Sequence, residues 1–169
     1  APSDLAIKRF VFADGRELTL EDILARANGV IGEQEGSDGD DYLRGSVTED
    51  YIEDYEGNDR VEALDQNDIV FGGSGDDAIN GGFGDDELYG EVGDDVIAGG
   101  AGDDYIEGGS GNDVYIFNRG DGADYIDNTV DWNAGDVDTI SFGADISPQD
   151  IKGYLDEYGE LMLRVGEST

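Results

Sequence analysis

Residues 36–116 repeat every nine positions without a gap, as nine consecutive blocks. The sixth place of every block is aspartate: Asp41, Asp50, Asp59, Asp68, Asp77, Asp86, Asp95, Asp104 and Asp113. The eighth place is always large and apolar: Leu43, Ile52, Val61, Val70, Ile79, Leu88, Ile97, Ile106 and Tyr115. The fourth is glycine except at Thr48 and Gln66, and from residue 72 onward the first two places are glycine as well, except at Glu91. Glycine permits positive φ and close backbone approach, so the first six places predict a tight turn with carbonyl oxygens pointing inward. The last three places suffice only for a brief strand, with the eighth side chain on one face. Two blocks then make one coil of turn, strand, turn, strand, and alternate blocks stack. One apolar column is Leu43, Val61, Ile79, Ile97 and Tyr115, and the facing column is Ile52, Val70, Leu88 and Ile106. Together they fill the space between two parallel sheets about 10 Å apart. Aspartate adds a hard anionic oxygen beside the turn carbonyls, a donor set suited to Ca²⁺ with its six to eight oxygen ligands.

The repeat is similar to G-G-x-G-x-D-x-U-x, the nonapeptide of the RTX (repeats-in-toxin, haemolysin-type) family, where U is a large apolar residue. The resemblance implies an all-β fold, a right-handed parallel β-roll (a β-solenoid), holding several Ca²⁺ ions, about five to eight. It implies sixth-place carboxylates as ligands, from Asp41, Asp50, Asp59, Asp68, Asp77, Asp86, Asp95, Asp104 and Asp113, with Asp124 as a further candidate. Backbone carbonyls of the turns would complete each shell, from Gly73, Gly75, Gly82, Gly84, Gly90, Val92, Gly93, Gly99, Ala101, Gly102, Gly108 and Ser110. The best sites are expected between the turns at 72 and 90, 81 and 99, and 90 and 108, and weak or missing sites at the turns of 45 and 63. The resemblance also implies a secreted module of a larger bacterial protein, exported by type I secretion and folding on calcium outside the cell.

Charge bears on how such a roll can fold. The chain carries 43 acidic against 9 basic residues, a formal net charge of −34. Nucleic acid and anionic membrane surfaces are therefore poor partners. Self-repulsion opposes compaction, so the chain is expected to be disordered until divalent cations enter the turns. There is no cysteine and no histidine, which removes disulfides, thiolate sites and imidazole catalysis. No apolar run approaches the ~20 residues of a membrane span. The first residue is Ala1 and no basic-then-apolar leader opens the chain, so a processed piece of a longer parent, monomeric as a fragment, is expected.

The flanks read as caps, giving three segments: 1–35, the roll at 36–126, and 127–169. Residues 5–12 predict a strand, Asp14 and Gly15 a hairpin turn, and Thr19 the N-cap of a short helix carrying Leu20, Ile23, Leu24 and Ala27, stopped by Gly29. The segment 10–25 also resembles the strand and helix that precede many RTX arrays. Residues 30–35 lead into the first block. Blocks 45–53, 54–62 and 63–71 are degenerate, with Asp54 and Ala63 replacing the first glycine and Tyr55 and Leu64 the second, which puts their tight turns in doubt. Past residue 116 the frame slips; Asp124 is expected against the turn at 108, and Asp138 is a weaker echo. Trp132 is expected to plug the last coil. Ser147 and Pro148 predict an N-cap and a turn of helix, and runs 152–155 and 160–165 a closing hairpin; that end is similar to the module following haemolysin-type repeats. Fifth-place acids such as Asp40, Asp76, Asp85, Asp94 and Asp103 are expected to be solvated outer charge, and Tyr42, Tyr51, Tyr89 and Tyr105 to lie on outer strand faces. A calcium-binding module, not an enzyme, is the reading favoured. An adhesin segment and a two-carboxylate hydrolase are the alternatives, the latter weakened because the repeat already explains nearly every aspartate.

Overall fold

A computed structural model describes residues 9–11, 17–19, 32–127, 136–155 and 161–165. The strands run β1 (Arg9–Val11), β2 (Glu17–Thr19), β3 (Gly32–Glu35), β4 (Tyr42–Arg44), β5 (Asp50–Glu53), β6 (Arg60–Asp65), β7 (Ile69–Ser74) and β8 (Ala78–Phe83). They continue as β9 (Glu87–Val92), β10 (Val96–Ala101), β11 (Tyr105–Ser110), β12 (Val114–Phe117), β13 (Tyr125–Asp127), β14 (Thr139–Phe142), β15 (Ile151–Leu155) and β16 (Leu161–Val165). No helix occurs among the described residues.

Consecutive strands of the repeat alternate between two parallel six-stranded sheets, ordered β14-β12-β10-β8-β6-β4 and β13-β11-β9-β7-β5-β3. Register follows from the nine-residue period. Ile97 of β10 faces Ile79 of β8 and Tyr115 of β12, and Ile106 of β11 faces Leu88 of β9, each pair two blocks apart. The fold is thus an all-β parallel solenoid, the β-roll expected. Between the sheets lies one core, formed by the eighth-place residues from Ile52 to Tyr115 with Ala63, flanked by Leu43 and Ile126. Fully burying each such side chain is worth about 1.5–3 kcal/mol. On the outer face of the second sheet, Tyr51, Phe71, Tyr89, Tyr105 and Tyr125 form a ladder, with centroids of successive rings 4.8–5.8 Å apart.

The sheets reach beyond residues 36–126. The lead-in to the first block is itself a strand, β3, pairing with β5 from Gly32↔Asp50 to Glu35↔Glu53. At the other end β14 pairs with β12 through Tyr115↔Ile140, so the slipped segment rejoins the stack. Both segments lack the glycine turn that marks a block, yet each offers a short extended run to an open edge.

At the N-terminal end β1 and β2 pair antiparallel, Arg9 with Thr19, as a hairpin turn at Asp14 and Gly15 requires. The turn itself and the expected helix after Thr19 lie outside the described residues, as does Trp132. At the C-terminal end β15 and β16 form the expected antiparallel hairpin, with Gly153 opposite Leu163. The segment before it makes a turn rather than a helix. The Asp150 N–H donates to the Ser147 carbonyl at 2.9 Å, and the Ser147 N–H and hydroxyl both donate back to the Asp150 carboxylate.

Candidate metal centre

The sixth-place aspartates form two buried columns, and their carboxylates are held in one repeated way. The N–H of Asp59 donates to Oδ1 of Asp77, that of Asp68 to Asp86, and that of Asp77 to Asp95, each at 2.8 Å and each one coil apart. The pattern runs from Asp41 and Asp50 at the first coil, through Asp95 to Asp113, and on into the slipped segment. There Asp104 donates to Asp124 at 3.3 Å, and Asp113 donates to Asp138 at 2.9 Å. Asp124 therefore stacks on the turn of the block at 99, not on the turn at 108 as expected. Asp138 takes the place over 108, because the two extra residues before Gly122 leave the alternation between sheets intact.

Only one oxygen of each carboxylate is used in this way. Oδ2 of Asp59, Asp68, Asp77, Asp86, Asp95 and Asp104 is buried and meets no hydrogen-bond donor. Asp95 is 0% exposed. Burial pushes Asp68 and Asp95 up to about 7, and Asp77 and Asp86 up to about 6. Asp104 is also raised, and Asp124 reaches about 7, in each case chiefly by burial. An ionised carboxylate buried without a countercharge costs several kcal/mol. From the block at 54 to the block at 99, each nonapeptide sets one such group against one buried apolar side chain worth about 1.5–3 kcal/mol, and the carboxylate wins unless a cation or a proton neutralises it.

The glycines leave room for that cation. A Cβ on Gly72, Gly81, Gly90, Gly99 or Gly108 would strike Oδ2 of the aspartate in its own block. A Cβ on Gly75, Gly84, Gly93 or Gly102 would strike the fourth-place carbonyl of the coil beneath, and one on Gly73, Gly82 or Gly100 the second-place carbonyl. Carboxylate and carbonyl oxygens thus crowd the same inter-coil gap, a set of hard oxygens fitted to Ca²⁺. The expected third-place ligands differ. The carbonyls of Val92, Ala101 and Ser110 already accept the N–H of Gly75, Gly84 and Gly93 at 2.8–3.0 Å.

Of the degenerate turns, the one at 63 departs from the expectation of a lost tight turn. The turn at 63 keeps its course without glycine: Leu64 and Gln66 hold φ of 94° and 78°, and Glu91 does the same at 75°. At the turn of 45, Asp50 Oδ2 accepts the Ser46 N–H at 2.5 Å, so that carboxylate is already bonded within its own block. Asp41 Oδ2 likewise accepts the Ser37 N–H and hydroxyl.

The fifth place is exposed, as expected, but it is not idle. Oδ1 of Asp76 accepts the Asp94 N–H and Oδ1 of Asp94 the Asn112 N–H, so this ladder accepts from the coil after, whereas the sixth-place ladder accepts from the coil before. Asn58 and Asn67 fill the same role for Asp76 and Asp85 at 3.0 Å. Asparagine serves at the fifth place because one acceptor oxygen is enough. All nine blocks keep aspartate at the sixth, where both oxygens matter.

One residue that the repeat pattern discounts proves to face the gap. Asp54, at a first place, is 3% exposed, and one carboxylate oxygen each from Asp41, Asp54 and Asp59 can lie within 4.8 Å of one another. Burial raises Asp54 to about 6 despite a hydrogen bond from the Tyr55 N–H. Its signal in the sequence was an acid standing where a glycine is expected.

Four overlapping copies of the RTX calcium-binding nonapeptide repeat match the chain, over residues 35–70, 53–88, 80–115 and 89–126. No curated protein matches it. The matched span covers more than half of the 169 residues and coincides with the stacked turns, their paired aspartate columns and their glycine-lined gaps. By repeat, by fold and by the oxygens its turns collect, this chain belongs to the RTX family of calcium-binding repeat proteins.

Proposed function

We propose that this chain is the calcium-dependent folding module of a larger secreted bacterial protein, unfolded where calcium is scarce and coiled where it is abundant. About five to eight Ca²⁺ ions lie between successive turns. Sixth-place carboxylates, from Asp41 to Asp113 with Asp124, supply the charge, and the carbonyls of Gly73, Gly75, Gly82, Gly84, Gly90, Gly93, Gly99, Gly102 and Gly108 supply neutral oxygens. Val92, Ala101 and Ser110 each keep a second carbonyl lone pair for the same purpose. The flanking segments 1–35 and 127–169 cap the roll, since an end coil otherwise offers an open strand edge. Binding and shape are its work, not catalysis.

The observation that carries this reading is the row of buried Oδ2 atoms without donors at Asp59, Asp68, Asp77, Asp86, Asp95 and Asp104. Circular dichroism during calcium titration, with magnesium as control, tests it. The β signal should appear with calcium, with a midpoint on the order of 10⁻⁴–10⁻³ M as for other extracellular modules. Magnesium should be a poor substitute, because it demands a smaller octahedral shell and keeps its waters. A fully folded spectrum in chelator, unchanged by calcium, would sink the proposal.

A further inference from the structure

The junction between the turns 36–41 and 54–59 is unlike those that follow. At the junction of 72–77 with 90–95 the carboxylates are Asp77 and Asp95, and both first places are glycine. Here the first place of the upper turn is Asp54. Its carboxylate lies over Gly36, where a Cβ on that glycine would strike both of its oxygens. Oδ1 accepts the Tyr55 N–H at 3.0 Å, while Oδ2 of Asp54 and Oδ2 of Asp59 are both buried without a donor. Asp59 Oδ1 accepts the Asp41 N–H at 2.7 Å, and Asp41 Oδ2 takes the Ser37 N–H and hydroxyl at 2.8 and 2.7 Å. The nearby Arg60 turns outward and pairs with Glu62 at 2.7 Å.

We propose that Asp54 is a third carboxylate ligand beside Asp41 and Asp59, and that this junction holds its calcium more tightly than the glycine-paired junctions. The inference rests on the calcium-binding reading of the roll. Ligand charge count is one of the main determinants of calcium affinity, and a third anion raises it by one here. Three acids within 4.8 Å repel one another until a cation lies between them, so much of the free energy of binding is relief of that repulsion. The site also joins β4, the edge strand of its sheet, to β6. An early-filling ion there would fix this end of the stack.

Equilibrium dialysis of the full chain against graded free calcium tests this, with Asp54→Gly and Asp54→Asn alongside. Asp54→Asn keeps the acceptor for the Tyr55 N–H but replaces the second oxygen and the charge with an amide NH₂; Asp54→Gly restores the repeat's own residue at this place. The wild-type isotherm should show one ion bound at free calcium at least about tenfold lower than the rest. Both variants should lose that early step and keep the remaining ions. If Asp54→Asn fails to fold, Asp54→Gly decides alone. Variant isotherms that superimpose on a calcium-binding wild type overturn the role of Asp54 and leave the roll's function standing. A wild type that takes up no calcium overturns both.

Discussion

The Asp77 N–H points at Oδ1 of Asp95 from 2.8 Å away, while Oδ2 of the same Asp95 carboxylate is buried with no donor. Half of that side chain is bound to the coil before, and the other half waits for a charge. The division separates what the fold needs from what the ion needs.

Asp95→Asn and its neighbour Asp94→Asn should therefore behave differently. An asparagine at 95 can keep the Oδ1 acceptor but puts an NH₂ where Oδ2 stood, turning two donors into a gap built for cations. Calcium stoichiometry should fall by one or two ions, and the calcium midpoint for folding should rise several-fold. Asp94 is exposed, and its Oδ1 accepts from the Asn112 backbone at 2.8 Å, a role the chain already gives to asparagine at 58, 67 and 112. Asp94→Asn should leave the ion count intact and shift stability by less than about 1 kcal/mol. Equal ion counts in the two variants would contradict the ligand assignment.

Gln66→Gly should stabilise the calcium-loaded roll. Gln66 is exposed and sits at φ 78°, so its side chain adds strain and no core contact. Relief of a left-handed non-glycine residue is worth about 1 kcal/mol, reduced somewhat by the larger entropy of unfolded glycine. The opposite change, Gly75→Ala, places a Cβ on the Gly57 carbonyl at φ 137° and should cost several times as much. Thermal unfolding of both variants at saturating calcium checks the sign and the order.

These contrasts also show how far the sequence could be read. The apolar eighth place and the unbroken sixth-place aspartates announce the two-sheet roll, because period and burial follow directly from spacing. Asp54 was hidden by the same logic, since a broken consensus reads as a lost turn and only stacking shows the acid turned into the gap. Leu64 and Gln66 keep positive φ because the coils on either side impose the path, a tertiary effect that local propensity opposes. β3 and β14 lack the glycine signature and were recruited by sheet edges. The fifth-place ladder was invisible because an exposed aspartate looks alike whether or not its oxygen is bonded.

Acid should fold the calcium-free chain and weaken calcium binding by the loaded one. Asp68, Asp95 and Asp124 are pushed up to about 7, and Asp54, Asp77 and Asp86 to about 6, by burial above all. An unfolded aspartate titrates near 3.9. Between those values the folded roll binds more protons than the unfolded chain, so stability without metal falls as pH rises. The protons' contribution is fully present below about pH 4 and is lost as pH rises through 6–7, where these carboxylates ionise in place. Calcium replaces the protons, and the dependence inverts: at low pH the ion must displace bound protons, and its apparent affinity drops. Circular dichroism across pH 4–8, in chelator and in saturating calcium, should give two curves of opposite slope. A calcium-free chain more folded at pH 8 than at pH 5 would mean that the buried carboxylates are neutralised by something other than protons or metal.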